Sequence, residues 1–158
     1  MNKWATFSAG RLYRYELWRT WDKRTGYAMF ICLNPSTADE MQDDPTVRRC
    51  IAFAKGWGYG GLCVTNLFAF RATSPQDMKR AENPIGPNND VTLQKCAREA
   101  AIVIAGWGTH GGYLNRSRAV QEMMPVLYYL RMTKGGEPAH PLYLPKTLTP
   151  QLYAKKGK

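Results

Sequence analysis

Short apolar runs separated by segments of helical spacing constrain the fold of this chain more than any other feature. The runs span residues 27–33, 62–67, 101–105 and 126–130. Runs of this length and composition are typical of strands buried on both faces of a sheet. Their alternation with helical segments predicts βαβ units and a mostly parallel sheet.

The connecting segments carry helix start and stop signals. Asp44-Pro45 predicts a helix start, because an acidic N-cap precedes a proline at the first helical position. The glycine-rich stretch 56–61 ends that helix. Further helices are predicted from Ser74-Pro75, over 88–100, and over about 115–124, where Pro125 stops the last one.

Residues 12–21 alternate apolar and charged side chains, and residues 22–26 are turn-like, which predicts an N-terminal β-hairpin completed by 27–33. The predicted fold is an α/β three-layer sandwich with a small, mostly parallel four-stranded sheet plus this hairpin. One domain is predicted over residues 1–152, followed by a basic, flexible C-terminal tail at 153–158.

Composition excludes several classes of protein. The 158 residues contain no window apolar and long enough to cross a membrane, and no secretory leader at the N-terminus. The four cysteines form no CxxC pair, and strand and helix positions predict buried free thiols in a reducing, cytoplasmic setting. Two histidines are too few for a histidine-rich metal centre, so no bound metal is expected. As separate expectations, the chain needs no organic cofactor and a monomer is favoured.

The formal net charge of +10 favours a polyanionic partner, above all nucleic acid. The alternative is that the positive charge only makes the chain soluble, since three of these charges come from Lys155, Lys156 and Lys158 at its end.

Polar residues cluster where the predicted parallel strands end, which is where ligands bind in such sheets. These residues are Asn34-Pro35-Ser36, Asn66 with Arg71 beyond it, and residues 107–110. Amides both donate and accept hydrogen bonds, which suits the edge of a nucleobase. The chain has no P-loop and no GxSxG elbow, and its glycine run 56–61 precedes a strand, so it is not a dinucleotide loop.

Four segments, in order, resemble the uracil-DNA glycosylase superfamily, especially its mismatch-specific branch. Leu33-Asn34-Pro35-Ser36 is similar to the first motif, G-I-N-P-G, and residues 62–75 resemble the next strand and loop. Residues 102–108 (IVIAGWG) resemble the strand that ends in W-G or L-G, and residues 140–145 (HPLYLP) resemble the second motif, H-P-S-P-L-S.

This resemblance implies a role for each matching residue. Asn34 would position the attacking water, and His140 would stabilise negative charge on the departing base. Asn66 would read the base edge, and Leu144 would fill the space left in the stack after base flipping. The other predicted substrate-binding residues are Pro35, Ser36, Phe68, Arg71 and Trp107.

The chain resembles still more closely a bacterial and phage family known as domain of unknown function 1643. Its hallmarks are all present: L-N-P-S-T-A-D, D-P-T-x-R-R-C, N-L-F-A-x-R-A-T, G-P-x-N-D and a late H-P-L-Y-L. That family carries no established activity.

The leading hypothesis is therefore a glycosylase-like protein that recognises and excises a base in DNA by water attack at the N-glycosidic bond. The alternatives are a non-catalytic module that binds DNA or a modified base, and a hydrolase of free nucleosides or nucleotides. Structural interpretations also stay open: Asn34 as a turn cap, Asn66 as a structural hydrogen bonder, His140 as a loop residue, and Asp44 as an N-cap alone.

Overall fold

A seven-stranded sheet with the strand order β1-β2-β4-β3-β5-β6-β7 organises the chain in the computed structural model, which describes residues 1–154. The strands are β1 (Asn2–Phe7), β2 (Arg14–Thr20), β3 (Tyr27–Cys32), β4 (Gly61–Asn66), β5 (Ile102–Ala105), β6 (Leu127–Tyr129) and β7 (Gln151–Tyr153). The α-helices are α1 (Pro45–Gly56), α2 (Pro75–Lys79), α3 (Asn89–Glu99) and α4 (Arg116–Met123).

The α/β class is confirmed, but the sheet is larger and more mixed than the predicted four-stranded, mostly parallel one. The pairs β4–β3, β3–β5 and β5–β6 are parallel. The pairs β1–β2, β2–β4 and β6–β7 are antiparallel and extend the sheet at both edges. Tyr153, predicted to begin the tail, lies in β7, and residues 155–158 of that predicted tail lie outside the described residues.

The predicted hairpin of residues 12–21 with 27–33 is wrong. β2 pairs with β4, with Leu17 opposite Val64, and β4 separates β2 from β3. The hairpin partner of β2 is instead β1. The physical reason is that β4 is buried along its whole length, so it needs a hydrogen-bonding neighbour at each edge.

Helices cover both faces of the sheet, so two apolar cores form. Ala28, Phe30 and Cys32 of β3 pack with α1 on one face, here called the α1 face. Met29 and Ile31 point the other way and pack with side chains from α2, α3 and α4. The alternation of side chains along β3 is the period of two expected of a strand buried on both sides.

Local sequence signals were reliable at the start of α1 and at the cysteines. Asp44 Oδ1 accepts a hydrogen bond from the Val47 N–H at 2.9 Å, so the predicted helix start is confirmed. The prediction of buried free thiols in strands and helices is also confirmed, for Cys32, Cys50, Cys63 and Cys96.

A fully buried arginine on β2 holds the long loop between β3 and α1. Arg19 Nε donates to Asp43 Oδ1 at 2.7 Å, and Nη2 donates to the carbonyl oxygens of Asp39 at 2.7 Å and Gln42 at 3.2 Å. Its Nη1 donates to the Trp18 carbonyl at 2.8 Å. A buried guanidinium is stable only when its donors are satisfied in this way.

Replacing Arg19 with alanine should lower the free energy of unfolding by about 3 kcal/mol or more, because the carbonyls of Asp39 and Gln42 and the Asp43 carboxylate lose their donor. Urea denaturation measures this. The matched control is Arg118→Ala, which removes an exposed i,i+4 pair with Glu122 and should cost about 0.5 kcal/mol or less. Equal losses in the two variants would contradict the role assigned to Arg19.

Candidate functional site

The loops that follow β3 and β4 are joined by hydrogen bonds at the carboxyl edge of the parallel strands, the region called here the crevice. The Leu67 N–H donates to the Cys32 carbonyl at 2.9 Å, and the Ala72 N–H donates to the Pro35 carbonyl at 3.0 Å. Asn34 closes the connection, because its Nδ2 donates to the Ala72 carbonyl at 2.9 Å. The crevice therefore lies at the carboxyl ends of parallel strands, the usual ligand position in such sheets.

The side-chain amide of Asn34 has a fixed orientation. Its Nδ2 also donates to the Pro35 carbonyl at 3.2 Å, and since both neighbours are acceptors, the nitrogen must face them. Its Oδ1 accepts no hydrogen bond from residues 1–154 and is not buried. Asn34 thus anchors the loop with one end of its amide and presents a free acceptor with the other.

Asn66, at the end of β4, is 1% exposed, and its Nδ2 has no hydrogen-bond partner within the described part of the chain. It lies opposite Cys32 in the parallel ladder and shares the α1 face with it. A buried amide donor without a partner costs free energy, so it indicates a position where an acceptor from a ligand or water belongs.

His140 enters the same region from the loop after β6. Its Nδ1 accepts from the Leu142 N–H at 3.3 Å, which leaves Nε2 as the position for the proton of the neutral ring. The following Pro141 packs against Gly106, where an added Cβ would lie 3.1 Å from Pro141 Cδ. Glycine after β5 therefore permits the close approach of the His140 segment.

Burial lowers the pKa of His140 below its ordinary value, and the Asp44 carboxylate partly opposes that shift. The ring is consequently neutral at physiological pH, with Nε2–H as a donor. Asp44 also raises the pKa of Arg14, on which burial has the larger, opposite effect. The carboxylate of Asp44, the N-cap of α1, thus favours the charged forms of both His140 and Arg14.

The remaining predicted residues divide into two groups. Pro35, Ser36 and Arg71 lie on the crevice loops with Asn34, and Arg71 is half-buried. Phe68, Trp107 and Leu144 are buried in the cores. Trp107 Nε1 donates to Glu137 Oε1 at 3.0 Å, and Phe68 packs on Tyr113. The structure therefore places six of the nine predicted residues at the carboxyl ends of the parallel strands or on the loops that follow them: Asn34, Pro35, Ser36, Asn66, Arg71 and His140.

Sequence reasoning missed the buried polar residues that build this edge. Asn89 Nδ2 donates to the carbonyls of Asn66 at 2.9 Å and Leu67 at 3.0 Å. Arg116 Nε and Nη2 donate to the Leu67 carbonyl at 3.1 and 3.0 Å, and Arg116 pairs with Asp90 at 2.8 Å. The motif Gly86-Pro87-Asn88-Asn89-Asp90 was the available signal. Its Asn89 donates to backbone carbonyls at the end of β4, and its Asp90 pairs with the Arg116 guanidinium.

Other surface features lie away from the crevice. One cavity of about 220 Å³ opens between α4 and β7, and another of about 280 Å³ opens between Trp4, Trp18 and α3. Within residues 1–154, no group of three or more histidine, cysteine or acidic side chains is arranged to hold a metal ion. His110 lies with its Nδ1 3.1 Å from Lys79 Nζ, on the loop after β5.

A family model described as "Protein of unknown function (DUF1643)" matches residues 14–142. The matched part includes every crevice residue named above. Neither the curated proteins nor the solved structures give a match to this chain. Over residues 1–154, the structure has no helix of the length and hydropathy required to span a bilayer.

The free energy of unfolding should fall as the pH is lowered from about 7.5, because the unfolded chain binds a proton at His140 near its ordinary pKa of about 6.5 and the folded chain binds it only at lower pH. The loss begins as the pH passes below the unfolded pKa and ends below the folded one. Urea denaturation between pH 7.5 and 5 measures it. His140→Gln should remove this part of the pH dependence, whereas His110→Gln should retain it; identical profiles for wild type and His140→Gln would contradict the assignment.

Proposed function

Since the chain belongs to the DUF1643 family of proteins of unknown function, we propose its function from the crevice itself: a uracil-DNA-glycosylase-like protein that recognises a base in DNA and excises it by water attack at the N-glycosidic bond. The observation that carries the proposal is the fixed amide of Asn34: its nitrogen donates to the carbonyls of Ala72 and Pro35, and its oxygen has no donor among residues 1–154.

An oriented amide oxygen is suited to hold a water molecule, because it can accept a hydrogen bond from one O–H of the water. A neutral amide is not a base, so Asn34 would act by positioning. In the proposed reaction the water oxygen bonds to C1′ of the deoxyribose while the bond from C1′ to the base nitrogen breaks. The base leaves with the electron pair, and the water proton passes to solvent.

His140 supplies the second element of the proposal. A neutral imidazole with Nε2–H as a donor can stabilise the negative charge that develops on a base carbonyl as the base departs. Because burial keeps the ring neutral, it acts as a hydrogen-bond donor and not as an acid. Asn66, whose buried Nδ2 has no acceptor within the described part of the chain, would donate to an acceptor on the base edge.

The parallel pairing of β4, β3, β5 and β6, with helices on both faces, supports the expectation of a glycosylase-like core. Net charge supports DNA as the partner, because +10 on 158 residues favours binding to phosphates and makes affinity dependent on salt. Fold alone does not assign chemistry, so the proposal depends on the crevice residues.

The role expected of Leu144, filling the space left in the base stack, is revised within this proposal. Leu144 is 7% exposed and packs in the core on the α1 face, whereas the adjacent Tyr143 is 90% exposed. Tyr143 is therefore the side chain of this segment that is available to stack on a base or to fill a vacated position.

Asn34→Ala should lower the rate of base release at least about 100-fold, since the attacking water loses its position. The measurement is the formation of abasic sites in labelled oligonucleotides that carry uracil, hypoxanthine, ethenocytosine or hydroxymethyluracil. The matched control is Asn88→Ala, which removes an exposed amide that makes no cap hydrogen bond.

Three outcomes contradict the proposal. DNA binding that weakens with salt, without base release from any substrate by the wild type, would indicate a non-catalytic module. Release of bases from free nucleosides or nucleotides, without DNA binding, would indicate a hydrolase of small substrates. Equal rates in wild type and Asn34→Ala would remove Asn34 from the reaction.

Tyr143→Ala should weaken binding to a single-stranded oligonucleotide about tenfold, because a stacked base loses its aromatic partner. Tyr143→Phe should retain wild-type affinity, since the ring remains. Fluorescence anisotropy at fixed salt measures both. Leu144→Ala should instead lower the free energy of unfolding by about 2 kcal/mol or more. Unchanged affinity in Tyr143→Ala would exclude stacking by this residue.

A further inference from the structure

Two arginines at the crevice present the same unused hydrogen-bonding edge. Arg14 Nη1 donates to the Ala38 carbonyl at 3.1 Å, and Arg71 Nη1 donates to the Arg11 carbonyl at 3.3 Å. In both side chains, Nε has no partner among the described residues and is buried, and Nη2 also makes no hydrogen bond there. The Nε and Nη2 donors of a guanidinium form the edge that binds two oxygens of one anion.

Backbone pairing places these two arginines on one face. Tyr13 and Phe70 form an antiparallel bridge, the Arg14 N–H donates to the Ala69 carbonyl, and the Arg71 N–H donates to the Leu12 carbonyl. Arg14 and Arg71 are therefore diagonal neighbours on the face opposite to Tyr13 and Phe70. Their mutual repulsion contributes to lowering the pKa of Arg14, although burial is the main cause.

A β-bulge directs Arg14 toward the crevice. The register between β1 and β2 shifts between Thr6 and Phe7, so that Thr6 lies opposite Glu16 and Phe7 lies opposite Arg14. A bulge reorients the side chains beyond it. As a result Arg14, 3% exposed, reaches the Ala38 carbonyl and lies close enough to Asp44 for the charge of that carboxylate to affect it.

The nearby acidic groups are occupied elsewhere. Asp39 Oδ1 accepts from the N–H groups of Met41 and Gln42, and Asp44 Oδ1 accepts from the Val47 N–H. Glu40 forms a two-point ion pair with Arg11 at 3.0 Å. Within residues 1–154, no carboxylate pairs with Arg14 or Arg71. The Arg71 guanidinium lies 4.9 Å from the Phe7 ring centre, a face contact that uses none of its hydrogen-bond donors.

We propose that Arg14 and Arg71 form a phosphate-binding clamp for the nucleotide whose base enters the crevice. Two neighbouring cations whose Nε and Nη2 donors have no acceptor among residues 1–154 are suited to an anion that satisfies those donors. Phosphate carries several oxygens in the required geometry. The inference rests on the proposed function for the choice of a nucleotide. It assigns phosphate binding to Arg14, a residue that no sequence motif indicated.

The phosphate can come from an internal phosphodiester of DNA or from a terminal phosphate monoester, as on a free nucleotide. Isothermal titration calorimetry with inorganic phosphate, thymidine 5′-monophosphate and thymidine tests the shared chemistry. Titrations with one oligonucleotide, bearing either a 5′-hydroxyl or a 5′-phosphate, distinguish the sources.

Arg71→Lys and Arg14→Lys retain the positive charge but lose the two-point edge, so each should weaken thymidine 5′-monophosphate binding about tenfold or more and leave thymidine binding unchanged. Arg118→Lys, on the exposed face of α4, is the matched control and should bind as the wild type does. Because Arg71 is only half-buried, Arg71→Lys carries the test if Arg14→Lys fails to fold.

An internal phosphodiester predicts equal weakening for both oligonucleotides, and a terminal phosphate predicts weakening only for the 5′-phosphorylated one. Wild-type affinity of both arginine variants for phosphate, the nucleotide and both oligonucleotides would overturn the clamp, even if base release proceeds. Weakened phosphate binding in these variants, in a protein that releases no base, would support the clamp and contradict the proposed excision.

Discussion

The buried guanidinium of Arg19 is the interaction on which the rest of the crevice depends. It joins β2 to the loop between β3 and α1 through Asp39, Gln42 and Asp43. That loop ends at Asp44, which caps α1 and lies close enough to His140 and Arg14 to influence their pKa values. A charge buried this deeply is costly unless its donors are satisfied, so the loop has one favourable arrangement. Antiparallel β2 therefore does more than extend the sheet, because it fixes one wall of the crevice.

The crevice combines polar groups in two different states. Asn34 and His140 each use one side-chain atom to hold a loop, and the other polar atom has no partner among the described residues, so both side chains are oriented before any ligand arrives. Asn66, Arg14 and Arg71 instead have buried donors with no acceptor among the described residues. Such donors raise the free energy of the empty protein and lower it when an acceptor-rich ligand binds. A basic chain with this donor excess is suited to a nucleotide, which brings carbonyl and phosphate oxygens together.

Prediction from sequence succeeded where a feature depends on neighbours along the chain. The start of α1 depends on Asp44, Pro45 and Val47, all within four positions, and the buried cysteines follow from the apolar pattern around them. It failed where partners are distant. The alternation of apolar and charged residues over 12–21 predicted a hairpin with 27–33, yet β2 pairs with β1 and β4. Its residues Arg14, Glu16 and Arg19 are buried because β1, the β3–α1 loop and α3 cover them. Motif matching likewise selected Leu144, although burial leaves Tyr143 as the exposed side chain.

The sequence by itself determined the α/β class, the buried strands β3, β4 and β5, and the collection of polar residues at their carboxyl ends, because hydrophobic periodicity and caps act over a few residues. Only the tertiary structure decided that β4 inserts between β2 and β3, and that Arg14 turns toward the crevice through a bulge. It also decided which polar atoms stay free: the Asn34 amide could have been satisfied at either end until Ala72 and Pro35 placed two acceptors beside its nitrogen. Pairing order and hydrogen-bond satisfaction depend on contacts between distant segments, which no local pattern encodes.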